Sequence, residues 1–245
     1  MKYDKVYFLH IPKTGGRFFT KYILEPIDSI LKENNIETIK LHEGVKKHGG
    51  WHKDIDDKTY VISIFRDPVE FFVSLVAHIY ADKNKLIDDE KDFILTDKTK
   101  ISNIEKDFLF DHLDLLKYLT NFQSQNFMLS PETEQIVVQS RKEYDKNKEF
   151  NKELIYKRIK RVDLMMRHSD FKNMDYRLLI NKIKKDLEIE IDVDLSLADR
   201  EHYKNKSSEI LFNKLDSKDK ERIYNNFLLD KEIYENDSLF WNFRD

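Results

Sequence analysis

Lys13, Thr14, Gly15, Gly16 and Arg17 lie between an apolar run and an amphipathic one in "KVYFLHIPKTGGRFF", and their types suit holding an anion. Two adjacent glycines keep successive backbone N–H groups accessible where a helix begins, and the partial positive charge there favours a negative group. Lys13 adds a full charge and Thr14 a hydroxyl donor. An ordinary triphosphate-binding loop places its lysine after the glycines, G-x-x-x-x-G-K-[ST]. Here the order is K-T-G-G-R. The plain alternative is a tight turn with a solvated lysine.

A second set follows in "ISIFRDPVEFFVSLVAHIY". Arg66 has the planar guanidinium that contacts a phosphate bidentately, and Ser74 comes two helical turns after the capping residue Asp67. Taken alone, Arg66 also suits an ordinary salt bridge. A third set, His42, Glu43, His48 and His52, could exchange protons near neutral pH, with the histidines the natural candidates.

Two metal-like spacings fail on inspection. His48 and His52 are four apart, but "HGGWH" lacks the glutamate of H-E-x-x-H and holds two helix-weakening glycines. "DVDLSLADREHY" begins like a calcium loop without its sixth-position glycine or twelfth-position acid. No metal site is expected.

Strands and helices must position these groups. "KVYFLHI" (5–11) reads as a buried strand, followed by a helix with Pro26 as a kink or break. "IETIKL" (36–41) reads as a second strand, and "TYVISIF" (59–65) as one buried on both faces of a parallel sheet. Asp67 and Pro68 then open a helix with the apolar stripe Phe71, Phe72, Leu75, Val76 and Ile79. Residues 82–106 read as a charged surface excursion, 107–129 as helical, and 131–153 as polar and helix-prone. "RVDLMMR" (161–167) is a strand leading to a helix near 172–186. The tail from Asp216 forms amphipathic helices whose closing "LFWNF" docks on the core. The alternation predicts an α/β fold with a mainly parallel sheet covered on both faces, which binds ligands at its strands' carboxyl ends.

At 245 residues the chain can bury one sizeable core, so a single domain, 1–245, is the expectation. Lys plus Arg (43) nearly balances Asp plus Glu (46), which gives no reason to expect nucleic acid as a partner. The absence of cysteine excludes thiolate chemistry and suits a reducing cytoplasm. The short, interrupted apolar stretch at the N-terminus predicts neither a signal peptide nor membrane insertion. Alternating charge at 82–106 and 141–160 reads as solvated surface.

"HIPKTGGRFF" followed by "ISIFRDPVEFFVSL" resembles the sulfotransferases that use 3'-phosphoadenosine 5'-phosphosulfate (PAPS), above all the carbohydrate-type branch. "NFQSQNFML" (121–129) and the stretch 202–234 are similar to later segments of that family. The resemblance implies a P-loop-like three-layer fold with a helical C-terminal part. It gives Lys13, Thr14, Gly15, Gly16 and the Arg17 backbone to the 5'-phosphosulfate, and Arg66 with Ser74 to the 3'-phosphate. Lys204, Asn205, Lys206 and Ser207 become nucleotide contacts. "KKHGGWHKDI" looks like the segment carrying the family's base, with His48 first, His52 second and Glu43 as the fallback. PAPS would be co-substrate and 3'-phosphoadenosine 5'-phosphate (PAP) the product, with no metal required and a glycan or other alcohol as acceptor. Two positions depart from the pattern: Arg17 replaces a small hydroxyl residue, and Phe71 replaces a basic or polar one. A nucleotide kinase or triphosphatase, and a nucleotide-binding protein without catalysis, remain as alternatives.

Overall fold

A computed structural model describes residues 2–39, 50–51, 54–84, 87–88, 94–95, 104–115, 121–128, 151–201 and 207–243. The chain packs as two compact units. One comprises 1–65, 123–202 and 235–245, and the other 66–122 and 203–234.

The first unit holds a four-stranded sheet in the order β2-β1-β3-β6, every pairing parallel. Strand β1 is Lys5–Leu9, β2 is Glu37–Thr38, β3 is Thr59–Phe65 and β6 is Leu164–Arg167. Every residue of β3 is buried, as its unbroken β-branched and aromatic composition predicts for a central parallel strand. β1 is shorter than its apolar pattern suggests: pairing with β3 ends at Leu9 opposite Ser63, and His10 and Ile11 lead into the turn. The described part of β2 covers two residues of the run read as 36–41.

Residues Gly16–Phe19 form α1 and Glu25–Glu33 form α2, with a π-helical stretch at Thr20–Leu24 between them. Pro26 lies in the first turn of α2. It has no N–H for the carbonyl four residues back, and the wider π turns fall just before that missing bond. The sequence reading of a break at Pro26 therefore has a specific form here, an irregularity placed one turn early.

One apolar cluster gathers Val6 and Phe8 of β1, Tyr60, Ile62 and Ile64 of β3, and Leu164 and Met166 of β6. It also takes Phe19, Ile23, Ile27 and Leu31 from the first helical stretch and Leu179, Ile180 and Ile183 from a later helix. Period-two alternation along the strands meets helical periodicity here. The C-terminal segment also packs in this unit: the Trp241 N–H donates to the Met165 carbonyl at 2.8 Å, and Phe240 sits edge-on to Phe65.

The second unit is built on α3, Pro68–Lys83. A two-residue antiparallel pairing joins β4 (Ile87–Asp88) to β5 (Ile94–Leu95) within the expected excursion. Helix α4 is Lys106–Leu115, and α5 is the short turn Phe122–Gln125. Back in the first unit, α6 (Lys152–Ile159) precedes β6, and α7 (His168–Asn173) and α8 (Tyr176–Leu187) follow it. α9 (Ser196–Glu201) ends this stretch of the first unit, and α10 (Ser207–Phe212), α11 (Ser217–Tyr224) and all but the last residue of α12 (Leu228–Glu235) belong to the second. Asp216 caps α11 in a reciprocal box with Asp219. The second core is aromatic and aliphatic, with Phe71 stacked on Phe122 at 5.3 Å and edge-on to Phe227.

Among the described residues, no helix is long and apolar enough to cross a membrane.

Candidate functional site

All four sheet strands run the same way, so their carboxyl ends share an edge. β2 lies on one side of β1 and β3 on the other, so the strand order reverses at β1. Open parallel sheets place their ligand crevice at such a point. The Lys13–Arg17 turn leaves β1 at that edge.

The turn is built on two left-handed residues, Lys13 at φ 64° and Gly15 at φ 90°. Gly15 is the N-terminal cap of α1, and no side chain caps that end. The first N–H groups of a helix lack intrahelical acceptors, so backbone donors gather at this turn. Arg17 is exposed beside them.

Thr14 takes a different part from the outward donor read in the sequence. Its side chain is fully buried, and its hydroxyl donates to the Ile11 carbonyl at 2.8 Å. In this arrangement Thr14 braces the turn from within.

The two glycines answer to different constraints. Gly15 satisfies a backbone angle that costs an L-residue about 1–2 kcal/mol. Gly16 satisfies a steric one: the His10 imidazole fills the space a side chain would need there. His10 in turn stacks on Phe8, with ring centroids 5.6 Å apart and planes 16° apart. On the other side, His168 and Phe171 of α7 lie against the position a Cβ on Gly15 would take, His168 at 3.4 Å. These two histidines beside the turn were not singled out in the sequence. His10 was absorbed into the strand pattern, and His168 carries no local motif.

Glu43, His48 and His52 lie outside the described residues, as do Lys204, Asn205 and Lys206. Ser207 is the first residue of α10. The loop bearing the histidines returns at Gly50, which is buried and accepts a 2.7 Å hydrogen bond from the Tyr7 hydroxyl of β1. Arg158 of α6 is a further organiser that sequence reasoning missed. It donates to the carbonyls of Phe127 and Met128 at 2.6 and 3.0 Å, and its guanidinium lies 5.5 Å from the Trp51 ring centre.

Arg66 and Ser74 belong to the second unit. Asp67 caps α3 as its sequence predicts, accepting from the N–H groups of Val69 at 2.9 Å and Glu70 at 3.0 Å. Its other oxygen accepts from the Tyr224 hydroxyl at 2.6 Å, so the turn carrying Arg66 is held from two sides. Arg66 is 9% exposed, and its Nε donates to the Glu70 carboxylate at 3.2 Å. Burial works against its charge and lowers its pKa, while Glu70 opposes that shift. The salt-bridge role weighed for an isolated Arg66 is therefore present, with Glu70 as partner. Phe71, the departure noted beside this motif, is fully buried and packs in the core.

Among the described residues no group of three or more His, Cys, Asp or Glu could hold a metal ion. Comparison with protein-family models, curated proteins and solved structures finds no match.

Proposed function

We propose that the chain is a sulfotransferase of P-loop-like α/β fold that moves the sulfuryl group of PAPS to a hydroxyl acceptor, a glycan or another alcohol. The observation that carries the reading is the turn at Lys13–Gly16. A cation and a bare, left-handed backbone meet at the carboxyl end of β1, where the strand order reverses. The donor set suits an anionic ligand, since lysine, arginine and backbone N–H groups donate without accepting.

In this reading the acceptor oxygen forms a new S–O bond while the S–O bond to the 5'-phosphate breaks. Lys13 and the turn's N–H groups stabilise the electron pair left on the phosphate oxygen. His48 removes the acceptor proton, with His52 and Glu43 as the alternative bases. Arg66 and Ser74 take the 3'-phosphate, and Lys204, Asn205, Lys206 and Ser207 supply further nucleotide contacts. The roles of Gly15, Gly16 and Arg17 are through the backbone. Thr14 contributes its N–H while its hydroxyl braces the turn.

The test is transfer itself. Incubation with radiolabelled PAPS and a panel of glycans and simple alcohols should move label onto at least one acceptor, with PAP formed in equal amount. Binding of PAP with no transfer to any acceptor would instead indicate a nucleotide-binding protein without this activity.

A further inference from the structure

Glu70 and Ser74 lie four residues apart on α3, a spacing that puts them on one helical face, and Arg66, two residues before the helix begins, reaches Glu70 with its side chain. Glu70 stands midway between the two groups assigned to the 3'-phosphate. Its carboxylate is already on Arg66 Nε, at 3.2 Å. The two partners differ in their exposure. The Arg66 side chain is 11% exposed, whereas Glu70's is 35% exposed. A buried guanidinium needs an anion beside it, and a half-exposed glutamate can leave when a better one arrives.

We propose that Glu70 is the resident counter-ion of Arg66 and holds down the site's affinity for a 3'-phosphate, which takes its place on the guanidinium as the carboxylate turns out to solvent. This rests on the assignment of Arg66 to the 3'-phosphate in the reading above. The exchange has a thermodynamic signature. A guanidinium held by its own carboxylate nine-tenths of the time lowers the apparent affinity of a competing phosphate about tenfold. A nucleotide without the 3'-phosphate does not compete for Arg66, so Glu70 leaves its affinity unchanged. Glu70 therefore stabilises the empty site and narrows the preference for a nucleotide that carries the 3'-phosphate.

The experiment is calorimetric titration of wild type, Glu70→Gln and Glu70→Ala with PAP and with adenosine 5'-phosphate, alongside thermal unfolding without ligand. The expected result is PAP affinity about tenfold tighter in Glu70→Gln, unchanged affinity for adenosine 5'-phosphate, and a lower melting temperature of the ligand-free variant. Glu70→Ala should shift PAP affinity in the same direction and carries the test if the glutamine variant fails to fold. PAP affinity equal to or weaker than that of a PAP-binding wild type overturns the exchange and leaves the sulfotransferase reading intact. An equal gain for both nucleotides overturns the competition between Glu70 and the 3'-phosphate. Absence of PAP binding in wild type and variants alike overturns the reading, and the exchange with it.

Discussion

The His10 imidazole occupies the space in which a side chain at Gly16 would begin. A Cβ placed on Gly16 would lie 1.8 Å from Cδ2 and 2.1 Å from Nε2 of that ring. The ring is backed by Phe8, which also packs on Phe19 of α1, with centroids 4.3 Å apart. Strand, ring and helix start are thus interlocked, and the bare backbone at residue 16 follows from packing.

Gly16→Ala should therefore cost about 1–3 kcal/mol, the usual penalty for overfilling a packed site. In a His10→Ala background the same substitution should cost little. Urea unfolding of both singles and the double variant checks this, and an equal penalty in the two backgrounds would contradict the interlock.

Lys13 and Arg66 should separate kinetically. On the proposed mechanism Lys13→Ala removes a charge needed most as the leaving oxygen becomes negative, and should lower kcat by roughly 10²–10³-fold. Arg66→Ala should mainly raise KM for PAPS. Steady-state kinetics at varied PAPS decides, and near-normal turnover in Lys13→Ala would remove its assigned role.

Tyr60 tests the structural side of the sheet. It is 1% exposed and donates to Asp186 Oδ2 at 2.6 Å, tying β3 to α8, while Lys182 holds the same carboxylate. Burial first, then Asp186, push the Tyr60 phenol well above its ordinary pKa, so the O–H is retained at any working pH. Tyr60→Phe should cost about 1.5–3 kcal/mol, the range for a hydrogen bond to a charged group. A loss within error in chemical denaturation would show that the bond contributes nothing net.

Asp56 provides a pH signature. Lys5 at 2.6 Å and the Thr59 hydroxyl at 2.9 Å lower its pKa from 3.8 to about 2. The folded state therefore binds this proton less readily than the unfolded chain. The stabilisation is present above the unfolded value and is lost as pH falls through about 2. Asp56→Asn should be less stable than wild type near neutrality, and that difference should shrink between about pH 4 and pH 2. Urea midpoints across this window check it, and a difference that stays constant with pH would refute it.

Strand β3 was legible to the residue because a fully buried parallel strand leaves a continuous β-rich run. The cap of α3 was legible because Asp67 and Pro68 satisfy it locally. β1 was read too long, since His10 and Ile11 continue its pattern although pairing with β3 stops at Leu9. The hydroxyl of Thr14 was assigned outward because nothing in a sequence says that the Ile11 carbonyl will lie within its reach. The division into two units gave no linker to see at the first of its four crossings, between Phe65 and Arg66, because only Arg66 and Asp67 separate β3 from α3. Glu70 was passed over although it lies four residues after Arg66, because that spacing also describes many surface ion pairs and only burial of the guanidinium distinguishes this one.

The most direct test of the central claim is the change in melting temperature with PAP compared with ATP and magnesium. A ligand present at a hundred times its Kd stabilises the folded state by about 2.7 kcal/mol, which a thermal-shift measurement resolves easily. The account predicts a clear rise with PAP and none with ATP and magnesium. A rise with ATP and magnesium and none with PAP would contradict it and favour a kinase or triphosphatase on the same sheet.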